Sequence, residues 1–259
     1  MGLVVDAHLH IYPTYQLDAG LDRLILNLSR WAPGARMAAI LTERAECRFF
    51  KEASQGAAQK TAHWKIVPDA GGLTVFSNKA LPLRILPGHQ IATSERIEVL
   101  SLLTYVRPVE DGHPARDVIK AILAAGGLPA LAWAPGKWLF GRGRLVGRLL
   151  EAFGRQVFVC DSPLRPLGMA EPPLFQLARH MGCRILAGSD PLPFHGEEQW
   201  MGAYASRIEG VADGLVTPEM VRHALTAPET RVMTVGCRAS PGKVFYRLVK
   251  NALVRHASL

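Results

Sequence analysis

The feature that most constrains the fold is a regular alternation of helical and strand patterns in the second half of the chain. Residues 115–125, 143–153 and 173–181 carry apolar side chains at helical spacing, and short apolar runs such as residues 157–160 separate them. A chain that alternates in this way builds a parallel sheet with its helices outside. Because seven or eight strand patterns occur in all, the sequence predicts an α/β fold with a closed or distorted (β/α) barrel.

The composition is typical of one α/β domain. The 259 residues lie at the upper end for one domain and show no internal repeat, low-complexity segment or linker, so we expect one domain spanning residues 1–259. The chain shows no signal-peptide pattern and no apolar run of roughly 18 residues. Its four cysteines are scattered without a Cys-x-x-Cys pair. These features predict a cytoplasmic protein with free thiols and no transmembrane segment.

The chain is basic, because 30 lysine and arginine residues outnumber 22 aspartate and glutamate residues and leave a net charge of +8. Such a charge indicates an anionic partner, which is a phosphorylated small molecule, nucleic acid or an anionic membrane face. A cationic surface that serves solubility alone is the alternative. No RNP, helix-turn-helix or KH signature selects nucleic acid among these partners.

The C-terminal segment 241–257 is predicted to be a basic amphipathic helix. Lys243, Arg247, Lys250 and Arg255 alternate there with apolar and aromatic residues. Such a helix either packs its apolar stripe on its own barrel, which is the more common arrangement, or lies on an anionic membrane.

The chain opens with a strand pattern, residues 2–5, that runs directly into Asp-Ala-His-Leu-His. Residues two apart on a strand face the same way, so Asp6, His8 and His10 are predicted to project together from the strand's end. Two imidazoles on one side of a strand can bind one divalent metal ion, whereas a chance His-x-His pair carries no chemistry. The acidic neighbour and the buried strand favour the metal site.

Polar residues that close the other apolar strands are further candidates, because chemistry in a (β/α) barrel lies at the carboxyl ends of the strands. They are Glu43, Arg44, His89, Gln90, Glu98, Trp133, Asp161 and Asp190, with His195 on the following loop. His89 should face away from its neighbour Gln90. Cys160 also lies on a strand, but nothing near it in sequence would activate a thiol, so we expect a core residue.

Five short motifs follow one another along the chain. They are His8-Leu9-His10, Thr42-Glu43-Arg44, Pro87-Gly88-His89-Gln90, Leu131-Ala132-Trp133-Ala134-Pro135-Gly136 and Ala187-Gly188-Ser189-Asp190. In this order they resemble the motifs of the PHP (polymerase and histidinol phosphatase) family, which is related to the amidohydrolases. The resemblance covers most of the chain and implies a distorted (β/α)7 TIM-like barrel. It also implies a site with two or three metal ions that hydrolyses phosphate esters.

Several metal ligands of the PHP family are replaced in this chain. The bridging glutamate of the family corresponds to the neutral Gln90, so the negative charge that neutralises neighbouring ions is lost. A full metal cluster is therefore not expected, and the resemblance implies a degenerate metal site. The positions at which the family carries histidine hold Arg44, Glu98, Trp133 and Leu192, and His195 is a candidate replacement for the last of these histidines.

The ligands that the resemblance leaves in place are His8, His10 and Asp190. Two imidazoles and one carboxylate, completed by the Gln90 oxygen or by water, suit one strongly held zinc, manganese or iron ion. Such an ion lowers the pKa of a bound water and supplies an attacking hydroxide. The hypothesis is thus a mononuclear site.

Roles for the charged neighbours follow from this hypothesis. Glu43 or Glu98 is the candidate general base. Arg44, with Lys137, Arg142 or Arg144, is the candidate binder of phosphate oxygens, because a guanidinium pairs with them bidentately. Alternatively, Arg44 forms a buried ion pair with Glu43, Glu98 or Asp190. Asp161 is a candidate support for a ligand.

Three functions fit these residues. The first is a metal-dependent hydrolase of the phosphoesterase kind with one ion. The second is a catalytically inactive PHP-like scaffold that binds a phosphorylated ligand, nucleic acid or a protein partner, since four histidines and the bridging glutamate are replaced. The third is a mononuclear deaminase or lactonase related to the amidohydrolases, although a clear lysine or second histidine pair in the middle of the chain is missing.

Overall fold

The computed structural model describes residues 2–57, 61–69, 71–77 and 80–257, which contain eleven strands and seven α-helices. The strands are β1 (Leu3–Leu9), β2 (Arg36–Glu43), β3 (Lys65–Asp69), β4 (Gly72–Ser77), β5 (Ala80–Ala92), β6 (Glu98–Leu102), β7 (Leu128–Ala132), β8 (Phe158–Asp161), β9 (Ile185–Ala187), β10 (Tyr204–Glu209) and β11 (Arg231–Gly236). The helices are α1 (Leu17–Trp31), α2 (Phe49–Ser54), α3 (Ala115–Ala124), α4 (Phe140–Phe153), α5 (Pro173–His180), α6 (Pro218–Thr226) and α7 (Pro241–Ala257).

All eleven strands belong to one sheet. Its main path runs β11-β10-β1-β2-β5-β6-β7-β8-β9, and the β3–β4 hairpin pairs with β5 beside that path. The last strand, β9, also contacts β1, β10 and β11, so the two ends of the sheet approach each other. The sheet is therefore nearly closed and barrel-shaped, which confirms the predicted α/β fold with a distorted TIM-like barrel.

The pairing of the strands corrects the expectation of a parallel sheet. Four of the eight pairings along the main path are antiparallel, namely β11–β10, β10–β1, β5–β6 and β6–β7. Between β5 and β6 the reason is local, because the chain turns back at once and the Thr93 backbone N–H donates to the Ile97 carbonyl. A parallel crossover would need a dozen or more residues there.

Alternate strand residues divide between an interior and an outer core, as the pleat of a sheet requires. Nearly every strand of the main path contributes to one buried cluster, for example Val5, Ile40 and Leu100, and this cluster is the barrel interior. Cys160 belongs to it, which confirms that this thiol is a core residue. Residues of opposite parity, such as Leu41 and Val99, pack instead with buried residues of the outer helices.

Candidate metal centre

Two histidines, one carboxylate and one amide converge at the carboxyl end of β1. The Nε2 atoms of His8 and His10 lie 3.1 Å apart, and Gln90 Oε1 lies 2.9 and 3.2 Å from them. Asp190 Oδ1 completes the group at 3.6 Å from His8 Nε2 and 3.7 Å from His10 Nε2. Ligand atoms of the two histidines and Asp190 all lie within 4.8 Å of one another. The four residues predicted as metal ligands are thus brought together.

An irregularity in β1 aims the two histidines into the barrel mouth. The register with β2 shifts between Asp6 and Leu9, which is the signature of a β-bulge. Before the shift Ala7 belongs to the interior cluster, and after it Leu9 packs in the outer core against α1. His8 and His10 therefore follow a side-chain alternation that differs from that of the residues before the bulge.

The bulge separates Asp6 from the histidines, which corrects the prediction that all three project together. The Asp6 carboxylate accepts hydrogen bonds from the backbone N–H groups of His8, Ser189 and Gly202 and from the Ser189 hydroxyl. Burial raises the pKa of Asp6 while these donors lower it. Asp6 thus ties β1 to the loop that carries Asp190.

Asp190 reaches the histidines because the backbone after β9 crosses β1 in close contact. A Cβ atom on Gly188 would lie 2.3 Å from the backbone nitrogen of His8, so only glycine permits the crossing. The Asp190 N–H donates to the His8 carbonyl at 2.8 Å, and Asp190 itself takes a left-handed conformation with φ of 43°. Backbone contacts between β1 and the segment after β9 therefore fix the position of Asp190 beside the histidines.

Five of the six distances between the four donor atoms are close to the spacing of ligands around one metal ion. Ligand bonds of about 2.1 Å imply an edge of about 3.4 Å between donors in a tetrahedron. The five distances given above span 2.9–3.7 Å and bracket that edge. Burial, followed by the charges of His8 and Arg44, lowers the pKa of His10 well below its usual value. A neutral His10 imidazole keeps a lone pair for a metal ion.

A polar cavity of about 400 Å³ opens beside this group and reaches it through Gln90. Glu98 forms an ion pair with Lys137, and Arg142 donates to the Gly136 carbonyl at 2.8 Å. The cavity lining holds four cationic and two anionic side chains, which makes it electropositive. They are Arg44, Arg96, Lys137 and Arg142, with Glu98 and Asp111.

Arg44 has different partners from those predicted. Its guanidinium pairs with Glu46 at 2.9 Å, rather than with Glu43, Glu98 or Asp190. Tyr12 interacts electrostatically with Arg44, and its ring lies 5.4 Å from that of His10. Arg44 lines both the polar cavity and a second cavity of about 660 Å³. The Arg44 side chain thus lies between the two cavities. It is 29% exposed, whereas the two histidines are buried.

Glu43 lies away from the metal ligands. It is paired in register with His89, and both line the second cavity rather than the one that contains Glu98. Its carboxylate accepts the N–H of Phe50 at 3.0 Å at the start of α2, and burial raises its pKa. The geometry therefore gives Glu43 a role in holding α2 and leaves Glu98 as the candidate base in the cavity.

The remaining candidates make structural contacts. Asp161 pairs with Arg165 and accepts the Tyr204 hydroxyl at 2.9 Å. His195 is 68% exposed and lies 3.7 Å from Glu198, outside the metal-ligand group. Trp133 is buried in the outer core.

One buried ion pair behind the site was missed by the sequence analysis. Arg247 on α7 is fully buried, binds Glu197 at 2.6 Å and donates to the Asp190 carbonyl at 3.4 Å. Glu197 in turn accepts the Leu192 N–H at 3.0 Å. The pair braces the loop that carries Asp190. Its members are 50 residues apart, and a basic helix pattern gave no signal that one arginine is buried.

Comparisons with known proteins support the fold at low sequence identity. No model of a known protein family matches the chain, and no curated protein matches it. PsfC from Pseudomonas syringae PB-5123 aligns with a TM-score of 0.56 and 16% identity, over 100% of this chain and 99% of PsfC. A two-domain protein from Bacteroides vulgatus, containing a predicted PHP-like metal-dependent phosphoesterase, aligns with a TM-score of 0.50 and 12% identity, over 90% of this chain and 65% of that protein.

A lesion-specific endonuclease has a similar fold. The lesion-specific endonuclease EndoQ from Pyrococcus furiosus aligns with a TM-score of 0.52 and 17% identity, over 90% of this chain and 58% of the endonuclease. Endonuclease Q has also been solved with a 27-mer duplex that carries an abasic lesion at its active site. The class defined by fold and site is a distorted TIM-like barrel, similar in fold to these solved structures, with a His-His-Asp group at its mouth. No helix in the described residues has the length and apolar character needed to cross a bilayer.

Proposed function

We propose that this protein is a metal-dependent hydrolase of the PHP superfamily that cleaves phosphate esters with one strongly held ion. The observation that carries the proposal is the convergence of His8, His10, Gln90 and Asp190, whose donor atoms lie 2.9–3.7 Å apart in five pairs. Similarity of the fold to a PHP-like phosphoesterase and to an endonuclease supports the same chemistry. Zinc, manganese and iron are the ions that this donor set favours.

The residues of the polar cavity take the substrate. His8, His10, Asp190 and Gln90 would hold a divalent ion, which would lower the pKa of a bound water toward about 7. Arg44 and Arg142 bind anionic oxygens of the ester, and their fixed charges stabilise the negative charge on the phosphoryl oxygens in the transition state. Lys137 moves from Glu98 to a phosphate oxygen. The Glu98 carboxylate, released from its ion pair, would accept the proton of the water that attacks phosphorus. The P–O bond to the alcohol would break, and the alcohol would leave with a proton from Glu98 or solvent.

The proposal is tested by metal content and turnover. The purified protein, loaded with zinc, manganese or iron in turn, is assayed on a generic phosphomonoester and a generic phosphodiester. We expect His8→Ala and Asp190→Asn to lower metal content and to lower kcat by at least about 100-fold. His180→Ala, an exposed histidine at the end of α5, is the matched control and should leave both unchanged. A protein that holds none of these ions and turns over neither ester contradicts the proposal.

A non-catalytic DNA-binding scaffold is the second candidate. Gln90 and Arg44 at family ligand positions favour it, together with the basic cavity and the architecture shared with Endonuclease Q. Duplex DNA with and without an abasic lesion is the probe for binding. In this reading Asp190→Asn leaves DNA affinity unchanged and there is no turnover to lose, whereas in the hydrolase reading the same variant abolishes turnover.

A further inference from the structure

The C-terminal helix α7 has two apolar faces, and only one of them is covered by the barrel. Val244 is buried, and Leu248 and Val254 pack against Leu164 and Phe194 beneath the helix. This inner face accounts for the docking of α7 on its own barrel, as the sequence analysis expected. It leaves a second set of apolar side chains on α7 exposed.

The outer face of α7 consists of Phe245, Tyr246, Val249 and Leu253. These side chains are 71%, 52%, 43% and 64% exposed. Three of them are spaced four residues apart and therefore form one stripe along the helix. Together with the adjacent Tyr246, this stripe forms an exposed apolar patch, which is a mark of an interaction surface.

The charged residues of α7 are all positive. The 17 residues of α7 contain no acidic residue. Lys243 and Lys250 flank the Tyr246 ring, with their ammonium nitrogens 5.7 and 5.8 Å from its centre. Lysines beside an aromatic ring on an apolar stripe are the pattern of a helix that lies in the interface of a membrane.

The apolar surface continues beside the start of α7. Leu167 and Met169 are both exposed, and their backbone atoms bond to the segment that leads into the helix. The Leu167 N–H donates to the Ala239 carbonyl, and Arg238 donates to the Met169 carbonyl. Arg238 therefore adds a further cation next to two further apolar side chains.

We propose that the outer face of α7 docks on an anionic lipid bilayer. The four side chains offer roughly 400 Å² of exposed surface, because each is 43–71% exposed and a large side chain has about 150–250 Å² in all. This is about half of the roughly 800 Å² per partner in a stable protein interface. A second copy would also bring like charges together, whereas anionic headgroups complement them. The bilayer takes the ring of Phe245 into its interfacial region and the lysines to its headgroups.

The test is co-sedimentation of the full chain with vesicles. One set contains phosphatidylcholine alone, and the other contains about one-third phosphatidylglycerol. We expect binding to the anionic vesicles only, and a loss of at least about tenfold in affinity in the triple variant Phe245→Ser, Val249→Ser, Leu253→Ser. Lys243→Glu should weaken the same binding by about tenfold, because it reverses a charge near the headgroups.

A matched control removes three exposed apolar side chains elsewhere. Leu26→Ser, Val67→Ser and Leu215→Ser change residues that are 54%, 43% and 58% exposed and lie outside α7. This variant should bind vesicles like the unmodified chain. Thermal unfolding of each variant checks that the barrel is intact. The proposal is overturned if the unmodified chain does not sediment with anionic vesicles, if both triple variants bind equally, or if the chain is a dimer that only the α7 variant dissociates.

Discussion

At Gly188 the chain passes so close to β1 that a single methyl group decides whether the metal centre can form. The glycine lies two residues before Asp190, and its missing side chain leaves room for the backbone of His8. The motif Gly-Ser-Asp therefore has a steric meaning here. Gly188 allows the two backbones to approach closely, Ser189 hydrogen-bonds Asp6, and Asp190 lies beside the histidines.

Gly188→Ala should disrupt the centre without removing any ligand. The new Cβ would lie 2.3 Å from backbone and Cβ atoms of His8, which cannot move without shifting β1. We expect a loss of about 3 kcal/mol or more in the free energy of unfolding, together with reduced metal content. Gly242→Ala is the control, because nothing lies within 4 Å of its added methyl group. Urea unfolding and elemental analysis measure both effects, and equal stability of the two variants would contradict the steric argument.

Gln90→Glu should strengthen metal binding. Gln90 Oε1 already touches both histidine nitrogens, so the variant places a negative charge where a neutral oxygen stood. We expect the dissociation constant for zinc or manganese to fall by about tenfold, measured by competition with a chelating dye. The same exchange at the exposed Gln199 is the control for a change in overall charge. Unchanged or weaker affinity in the Gln90 variant would place the ion away from this oxygen.

At the scale of elements, the site depends on where strands and helices change direction. The bulge in β1 turns His8 and His10 inward, and the crossing after β9 brings Asp190 to them. Helix α7 then closes the back of the site, because Arg247 reaches from it to Glu197 and to the Asp190 carbonyl. A helix that reads as a basic surface element is thus anchored by a buried charge.

Arg247→Met should destabilise the fold, because it leaves the Glu197 carboxylate buried without its partner. Breaking a buried ion pair on one side costs about 3–5 kcal/mol. The double variant Arg247→Met with Glu197→Leu should recover much of this loss, since no unpaired charge remains. Arg179→Met breaks the exposed Arg179–Glu171 pair on the surface and should cost at most about 1 kcal/mol. Urea unfolding separates these cases, and a single variant no worse than Arg179→Met would contradict the bracing role.

At the scale of the whole molecule, the barrel places ligands from both ends of the chain in one mouth. His8 and Asp190 are 182 positions apart in sequence, yet their side chains lie 3.6 Å from each other. An ion bound between them therefore links the opening strand to the last third of the fold. Metal binding should consequently stabilise the protein as a whole.

Saturating zinc or manganese should raise the melting temperature. A ligand that binds only the folded state at about 100 times its dissociation constant adds about 2.7 kcal/mol, which corresponds to roughly 5–10 °C in a chain of this size. Calcium, which prefers oxygen ligands, should have little effect. The double variant His8→Ala, His10→Ala should show no shift with any ion, measured by scanning calorimetry. A shift that persists in this variant would locate metal binding elsewhere.

Much of the fold could be predicted from local patterns. The alternation in the second half produced α3, β7, α4, β8, α5 and β9 at the expected places, and the C-terminal helix Pro241–Ala257 was also predicted. Strands β10 and β11 were missed. Tyr204–Glu209 carries no long apolar run, and Arg231–Gly236 is only partly buried, so neither has the periodicity of a core strand.

The site could be predicted in part. His8, His10, Gln90 and Asp190 were grouped by the resemblance to the PHP motifs, and the structure brings them together, while metal binding itself stays a prediction. The predicted orientation of Asp6 was wrong, because a bulge in β1 turns it away from the histidines. The ion-pair partners considered as an alternative for Arg44 were also wrong, because Arg44 pairs with its near neighbour Glu46. Glu43 was one of two candidate bases. Its register with β5 pairs it with His89, and both residues line the second cavity rather than the cavity of Glu98.

The sequence by itself determined the kinds of elements, their order and the residues able to bind a metal ion, because periodicity and residue chemistry are local properties. Only the tertiary structure decided which strands run antiparallel, which way β1 turns its histidines and which charge is buried beneath α7. These outcomes depend on contacts between residues far apart in the chain, such as Gly188 against His8 and Arg247 against Glu197. No local pattern encodes such contacts, since their energy exists only when the barrel has brought the two partners together.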